Sequence, residues 1–236
     1  MTPVKNFCRA FLVTSAVLLT SCFVEDPGPL QEMERQYAVT DFDRLEMGDA
    51  FHISVEQGNY FDVSARGDRR NIQDLVVKKE GSTLVIRYSH NRQRRHDTFI
   101  TITLPDLHAI TFSGASDSRV YGFDDMATLK VNLSGASVCQ LDVEVLQLTA
   151  TISGASFLSL RGAADDLEAE LSGASALKAF SFPVSNANLV LSGASDGQVT
   201  AMNTLQVVAT GASHVIYRGQ PAVTAQVSGS SSVHEE

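Results

Sequence analysis

Apolar and polar residues alternate along most of this chain, and from residue 108 onward the alternation repeats in register. The landmark is the tetrapeptide Ser-Gly-Ala-Ser, at Ser113–Ser116, Ser134–Ser137, Ser153–Ser156, Ser172–Ser175 and Ser192–Ser195, with worn copies at Thr210–Ser213 and Ser228–Ser231. Its glycines are Gly114, Gly135, Gly154, Gly173, Gly193, Gly211 and Gly229, so the period runs from 18 to 21 residues. Two residues before each glycine stand Phe112, Leu133, Ile152, Leu171, Leu191, Ala209 and Val227, and the positions four and six before are also mainly aliphatic. Lys130, Asn132, Thr149, Thr151, Glu168 and Glu170 fall between them. That period of two marks a strand with one buried face. Apolar positions resume four and six residues after the glycine, as at Leu158 and Leu160. Each repeat therefore predicts a strand, a corner, a second strand and a return. A unit of about 20 residues is too short to bury a core alone, so the copies must stack into a β-solenoid.

In this reading the seven glycines are structural turn residues, placed where φ is positive or where no Cβ fits. The alanine that follows is expected to be a small inward residue. The serines are expected to hydrogen-bond to local backbone where the corner leaves the strand ladder. The last copy runs into Ser231-Ser232-Val233-His234-Glu235-Glu236, a polar closure suited to a terminal rung. Such a closure, with a cap at the other end, speaks against assembly through the solenoid ends.

Residues 41–105 are strand-rich without repeating. Phe51, Ile53 and Val55 alternate with His52, Ser54 and Glu56, and Phe61–Ala65 follows a Gln57-Gly58-Asn59 turn. Val76–Lys79 and Leu84–Tyr88 flank Glu80-Gly81-Ser82, which predicts a hairpin. Asn71–Leu75 allows one helical turn, and Phe99–Leu104 is a further strand ended by Pro105. These strands are expected to form a β-sheet region capping the N-terminal end of the solenoid.

The N-terminus changes the picture of where the protein acts. Lys5 and Arg9 precede an apolar run, Ala10–Leu19, too short for a membrane span, and Leu19-Thr20-Ser21-Cys22 resembles a bacterial lipobox. Residues 1–21 are thus expected to be a lipoprotein signal peptide and Cys22 the lipidated N-terminus. An ordinary signal peptide cleaved nearby is the alternative. The lipid bilayer, reached through the Cys22 anchor, is then the first partner. Phe23 after the cysteine, by resemblance to lipoprotein sorting, favours the outer membrane, with the domain facing the periplasm or the surface. Residues 22–40, with Pro27-Gly28-Pro29, read as a tether. A formal net charge of −9 argues against nucleic acid as a partner. Cys8 leaves with the signal and Cys22 carries lipid, so Cys139 has no partner for a disulfide and reads as a buried, inert thiol.

Taken together, these motifs resemble a known family. Ile53–Gly58, Val63–Asp68, Gly81–Ile86, Ile100–Pro105, the serial Ser-Gly-Ala-Ser blocks and Tyr217–Pro221 follow one another as in the head GIN domain of auto-transporter adhesins, found in Bacteroidetes-type envelope lipoproteins. The resemblance covers residues 41–233, with 41–105 as the N-terminal β region and 106–233 as the repeat solenoid. It implies an all-β fold, a right-handed parallel β-helix-like solenoid. It carries over no functional residues.

The chemistry-bearing residues do not assemble into a catalytic pattern in the sequence. Six histidines lack metal-ligand spacing, and no metal and no cofactor are expected. Pectin-lyase-like chemistry on a β-helix needs clustered carboxylates. Asp117 and Asp196 hold the same place in repeats several rungs apart, and Asp124-Asp125 and Asp165-Asp166 lie in returns, where they are solvated. The serine row lacks an activating base. Tyr88–Asp97 is the one dense basic stretch. Its Arg92, Arg94 and Arg95, with Arg87, make either an anionic-ligand loop or a solvated hairpin. There is no Trp, and Tyr121, Phe123, Phe157, Phe180, Phe182 and Tyr217 are the aromatics to follow as a sugar platform or as core. The reading is a non-enzymatic envelope lipoprotein presenting a solenoid for adhesion or scaffolding, with a glycan or an envelope protein as its partner. The alternative is a glycan-active lyase or hydrolase on a β-helix scaffold.

Overall fold

Stacking like residues over like residues lets each strand extend the sheet begun by the previous repeat. The computed structural model describes residues 28–236; the expected signal peptide, residues 1–21, and the expected lipidation site Cys22 lie outside the described residues. The elements are β1 (Glu32–Gln36), β2 (Arg44–Met47), β3 (Phe51–Gln57), β4 (Asp62–Asp68), α1 (Arg69–Ile72), β5 (Leu75–Glu80), β6 (Thr83–Tyr88), β7 (Thr98–Leu104) and β8 (Ala109–Phe112). The long strands β9 (Asp117–Leu133), β10 (Val138–Ile152), β11 (Phe157–Leu171), β12 (Ala176–Leu191) and β13 (Asp196–Ala209) follow, then β14 (His214–Arg218), β15 (Ala222–Val227) and β16 (Ser232–Glu235). The fold is a right-handed parallel β-solenoid of about 7 turns with an N-terminal sheet region.

Each coil contributes to two faces. The leading face holds the strand before each glycine corner: β5, β6, β2, β8, the C-terminal halves of β9 to β13, then β15. The trailing face holds the strand after it: β1, β4, β7, β3, the N-terminal halves of β9 to β13, then β14 and β16. Inside, Leu133, Ile152, Leu171, Leu191 and Ala209 stack in one column. Ser118, Cys139, Leu158, Leu177, Gly197, Val215 and Val233 form another. Phe123 and Phe182 are fully buried and fill the interior near the returns.

The corners are themselves ladders. All seven glycines have positive φ, between 73° and 82°. A Cβ on Gly173, Gly193 or Gly211 would stand 2.5 Å from the carbonyl oxygen of the glycine one rung before. Contrary to the expectation from sequence, the corner does not leave the ladder. It extends it, since the Ala136 amide donates to the Gly114 carbonyl and the Ala155 amide to Gly135. The alanines point outward rather than inward, and the inward small residue is the second serine. Ser116, Ser137, Ser156, Ser175, Ser195 and Ser213 are at most 1% exposed. Their hydroxyls are satisfied within the column. Ser137 Oγ donates to the Ser134 carbonyl at 2.8 Å, and Ser116 Oγ donates to Ser137 Oγ at 3.1 Å.

The N-terminal region does more than cap. The segment from β2 to β3 is a coil in its own right, with Asp49 (φ 70°) under Gly114 and Phe51 in the serine's inward place. The segment from β6 to β7 is another coil lying below it, although it comes later in the chain. Residues 89–97 replace its corner. The cap proper is antiparallel: β5 on β6, β4 on β7 and β1 on β4. The helical turn expected at Asn71–Leu75 sits at Arg69–Ile72, because the Asp68 carboxylate accepts from the Arg70 amide at 2.9 Å and caps the turn there.

Candidate functional site

The basic stretch is largely committed to holding the cap together. Asp74 is 8% exposed, and the Arg94 guanidinium hydrogen-bonds it, as does His90 Nδ1 at 2.6 Å. Arg94 also donates to Asn71 Oδ1 at 3.0 Å and lies over the Tyr88 ring, 3.3 Å from its centre. Arg92 donates to the Arg70 carbonyl at 3.0 Å. Burial alone would push the Asp74 carboxyl up. The His90 and Arg94 hydrogen bonds, with the charges of Arg94 and Arg92, outweigh it and hold the carboxyl below its ordinary value. Arg87 is exposed on β6, and Arg95 is exposed with its own interaction partners. The four arginines therefore do not converge on one anion site.

The expected acidic and thiol positions fall as their repeats dictate. Asp117 is four strands from Asp196 in the outward column Asp117, Val138, Phe157, Ala176, Asp196. Asp124-Asp125 and Asp165-Asp166 lie within β9 and β11, where these strands bend through the return. Among the described residues no group of three or more His, Cys, Asp or Glu could hold a metal ion. Cys139 is buried, and desolvation pushes its thiol up to about 12, which leaves almost no thiolate at neutral pH.

The trailing face carries a different chemistry. Its first outward column reads Phe99, His52, Asp117, Val138, Phe157, and the next Thr101, Ser54, Arg119, Gln140, Ser159, Lys178. Rings and cations pair along it. His52 stacks on Phe99 at 5.0 Å, and Arg66 lies over the same ring at 4.9 Å. Arg119 lies over Tyr121 at 5.3 Å, Lys178 over Phe157 at 5.3 Å and Arg218 over Phe180 at 4.1 Å. Phe99 and Phe157 share one column four strands apart, and Tyr121, on the strand midway between them, lies four residues further along that strand.

Two shallow depressions cross this face. One, of about 330 Å³, runs between His52, Phe99, Asp117 and Arg119; the other, of about 210 Å³, lies between Arg119, Asp142, Phe157 and Arg161. Both include Arg119 and Gln140, so they form one continuous strip. The Tyr121 hydroxyl donates to Glu56 at 2.8 Å, which raises the phenol's pKa and fixes the ring. An open strip of fixed rings, guanidinium groups and amides suits an extended polar polymer better than a small enclosed ligand.

Of the aromatics followed from sequence, Phe157, Tyr121 and Phe180 are on this face, whereas Phe182 and Phe123 are core. Phe99, Arg66, Arg119 and Arg161 were not singled out. Period-two alternation does put Phe99 outward between the buried Thr98 and Ile100. What brings it beside His52 is the β3–β7 pairing, and that is a long-range fact.

A parallel β-solenoid with a capped N-terminal end and one face of rings and cations is the class of fold to which the chain belongs. The chain belongs to the family described as "Putative auto-transporter adhesin, head GIN domain", whose model matches residues 41–221. No curated protein matches the sequence. Among solved structures, a "putative adhesin" from Bacteroides fragilis NCTC 9343 superposes with a TM-score of 0.79 at 19% identity, over 87% of this chain and 97% of that one. A "putative adhesin" from Parabacteroides merdae ATCC 43184 and a "putative lipid binding protein" from Parabacteroides distasonis ATCC 8503 each give 0.72 at 17% identity, over 87% of this chain and 96% of theirs. These likenesses establish the fold. Among the described residues no helix is long and apolar enough to cross a membrane.

Proposed function

We propose that this chain is a non-enzymatic cell-envelope lipoprotein that holds its solenoid out from the outer membrane on the Cys22 anchor and binds an extended glycan along the trailing face. The observation that carries the reading is the run of ring-and-cation pairs, Phe99 with His52 and Arg66, Tyr121 with Arg119, and Phe157 with Lys178, on one side of a rigid sheet. An elongated strip with rings spread over five adjacent strands suits an extended chain better than a small enclosed ligand. The mechanism is shape and polar complementarity without covalent chemistry.

The test is a glycan and matrix-protein array probed with the C-terminally tagged protein, with and without calcium. Saturable binding to an extended glycan, weakened about tenfold or more by Phe157→Ala and Arg119→Ala but not by Thr151→Ala on the leading face, is the expected result. A blank array would sink the glycan reading and leave an envelope protein as partner, to be sought by crosslinking in cells. Labelling with a radioactive fatty acid that is lost in Cys22→Ser tests the anchor separately.

A further inference from the structure

The two ends of the solenoid are finished differently. At the N-terminal end, antiparallel strands, a helical turn and buried carboxylates close the stack, and the outermost strand β1 carries Glu32, Glu34 and Arg35, which blunt its edge. At the other end the trailing face also finishes in charge, at Glu235 and at Glu236 paired with Arg218. The leading face does not, so the polar closure expected from the sequence holds for only one side of the last rung. Its last strand, β15, reads Ala-Val-Thr-Ala-Gln-Val, and among the described residues it pairs only with β13.

All six residues of β15 are exposed, and Val223 and Val227, which continue the interior columns of Leu205 and Ala209, are 40% and 46% exposed. No charged side chain occurs between Arg218 and His234, and Pro221 stands before the strand, not in it. A six-residue strand with no charge, no bulge and an open interior column is the kind of edge that proteins normally cover.

We infer that β15 is a self-association edge and that its occupant is β15 of a second copy, joined across a two-fold axis. The opposite end of a neighbouring molecule is a poor match, because its leading face ends in β5, which carries Lys78, Lys79 and Glu80, and its trailing face in β1, which carries Glu32, Glu34 and Arg35. Only the same open end is complementary, and an isologous contact of this kind closes at two copies. Side-chain direction sets the register. Val223, Ala225 and Val227 all face the interior, so an antiparallel pair that keeps apolar on apolar places Ala225 opposite the partner's Ala225 and Val223 opposite the partner's Val227. Thr224 then lies opposite the partner's Gln226 on the outside. The pairing extends the interior columns across the axis and removes Val223 and Val227 from water.

The test uses the full-length protein processed and extracted from membranes in mild detergent. Sedimentation velocity over a range of concentrations is expected to show a monomer–dimer equilibrium. The double variant Thr224→Lys/Gln226→Lys sets two lysine pairs across the axis without touching the interior, and should weaken the dimer at least tenfold while leaving the thermal midpoint of the monomer unchanged. The double variant Thr224→Cys/Gln226→Cys should form a covalent dimer on mild oxidation in intact membranes, and neither single variant should do so efficiently. A wild-type protein that stays monomeric at high concentration overturns the inference, whatever else binds the edge. So does a dimer indifferent to the lysine pair, since its interface must then lie elsewhere.

Discussion

The N-terminal coils and the Ser-Gly-Ala-Ser coils perform the same geometric task with opposite kinds of residue. In the repeats each rung has nearly identical neighbours, so the residue that fits one rung fits the next. The result is columns of glycine, serine and leucine held by rung-to-rung amide hydrogen bonds. At the N-terminal end each coil has a neighbour unlike itself, either a non-repeating coil or the antiparallel cap, and that requirement lapses. Asp49 stands where a glycine would, Phe51 where a serine would, and a nine-residue loop, 89–97, replaces a corner. Single-copy polar contacts then do the fastening. Asp68 takes hydrogen bonds from Arg70 Nε at 2.7 Å, Arg70 Nη2 at 2.8 Å and the Gln31 amide at 3.1 Å, which joins β1, β4 and α1. Regularity distributes the stabilisation in one region, and a few buried carboxylates concentrate it in the other.

The sharpest break in this comparison should come from two glycines with similar φ. Gly173 (φ 82°) lies against the backbone of Gly154, whereas Gly81 (φ 62°), in the β5–β6 hairpin, has nothing within 4 Å of where a Cβ would be. Gly173→Ala combines a strained φ with overpacking against backbone that cannot move aside, and should destabilise by about 3–5 kcal/mol. Gly81→Ala meets only the φ term, about 1 kcal/mol. Thermal or denaturant unfolding of the two variants separates them. Equal losses would mean that the glycine ladder is not what locks the corner.

This contrast also bears on what the sequence made legible. The repeat announces itself because stacking forces the same residue into the same place, and the solenoid, its inward columns and the corner glycines could all be read from it. The coils at 44–57 and 83–104 could not, because their registers are written in pairings between residues far apart. Ile53 lies beside Ile100 on one side and Ser118 on the other, and nothing local says so. The direction of the corner alanine was misread for a related reason. A hydroxyl usually faces water, yet here the serine turns inward because a neighbouring rung supplies its acceptor. The ring-and-cation strip needed the same long-range pairings, so only Phe157, Tyr121 and Phe180 could be flagged in advance.

The second break is electrostatic and is confined to the cap. The Arg70 guanidinium holds the Asp68 carboxyl far below the usual carboxylate range, against burial that pushes it up. Asp68→Ala removes the carboxylate that the Arg70 guanidinium, the Arg70 amide and the Gln31 amide share, and should destabilise by about 2–4 kcal/mol, below the ~3–5 kcal/mol of a fully buried pair because Arg70 is partly exposed and keeps the Pro29 carbonyl. Acidification should act in the same direction with a smaller effect. Asp68 and Asp74 are both lowered in the folded state, so their contribution is fully present above the unfolded carboxylate value, about pH 4, and is lost as pH falls through their folded values. Hydrogen exchange between pH 5 and 3 should therefore show β1, α1 and β5 opening before β10 to β12. Uniform opening of cap and repeats would remove the distinction between the two regions.

The smallest expected effect is the most telling about the repeats. Ser175 is buried, and its hydroxyl donates to the Ile152 carbonyl at 3.2 Å and meets Ser195 Oγ at 3.4 Å. In the cap, removing one such group strands its partners. Here Ser175→Ala removes a hydroxyl whose acceptor remains satisfied, because the Ile152 carbonyl also receives the Ser172 amide at 2.9 Å. Ser195 Oγ likewise keeps its bond to the Ser192 carbonyl at 2.8 Å. No buried polar atom is orphaned, so the loss should be about 1 kcal/mol, the net worth of one ordinary hydrogen bond. Ser175→Ala combined with Ser195→Ala should depart from the sum by only a few tenths of a kcal/mol, about 0.5 at most, since the two hydroxyls meet at 3.4 Å and each also donates to a backbone carbonyl. A double variant that lost far more than the sum would show that the hydroxyls act as one cooperative chain. The repeats would then be stabilised, like the cap, by a network that fails as a unit.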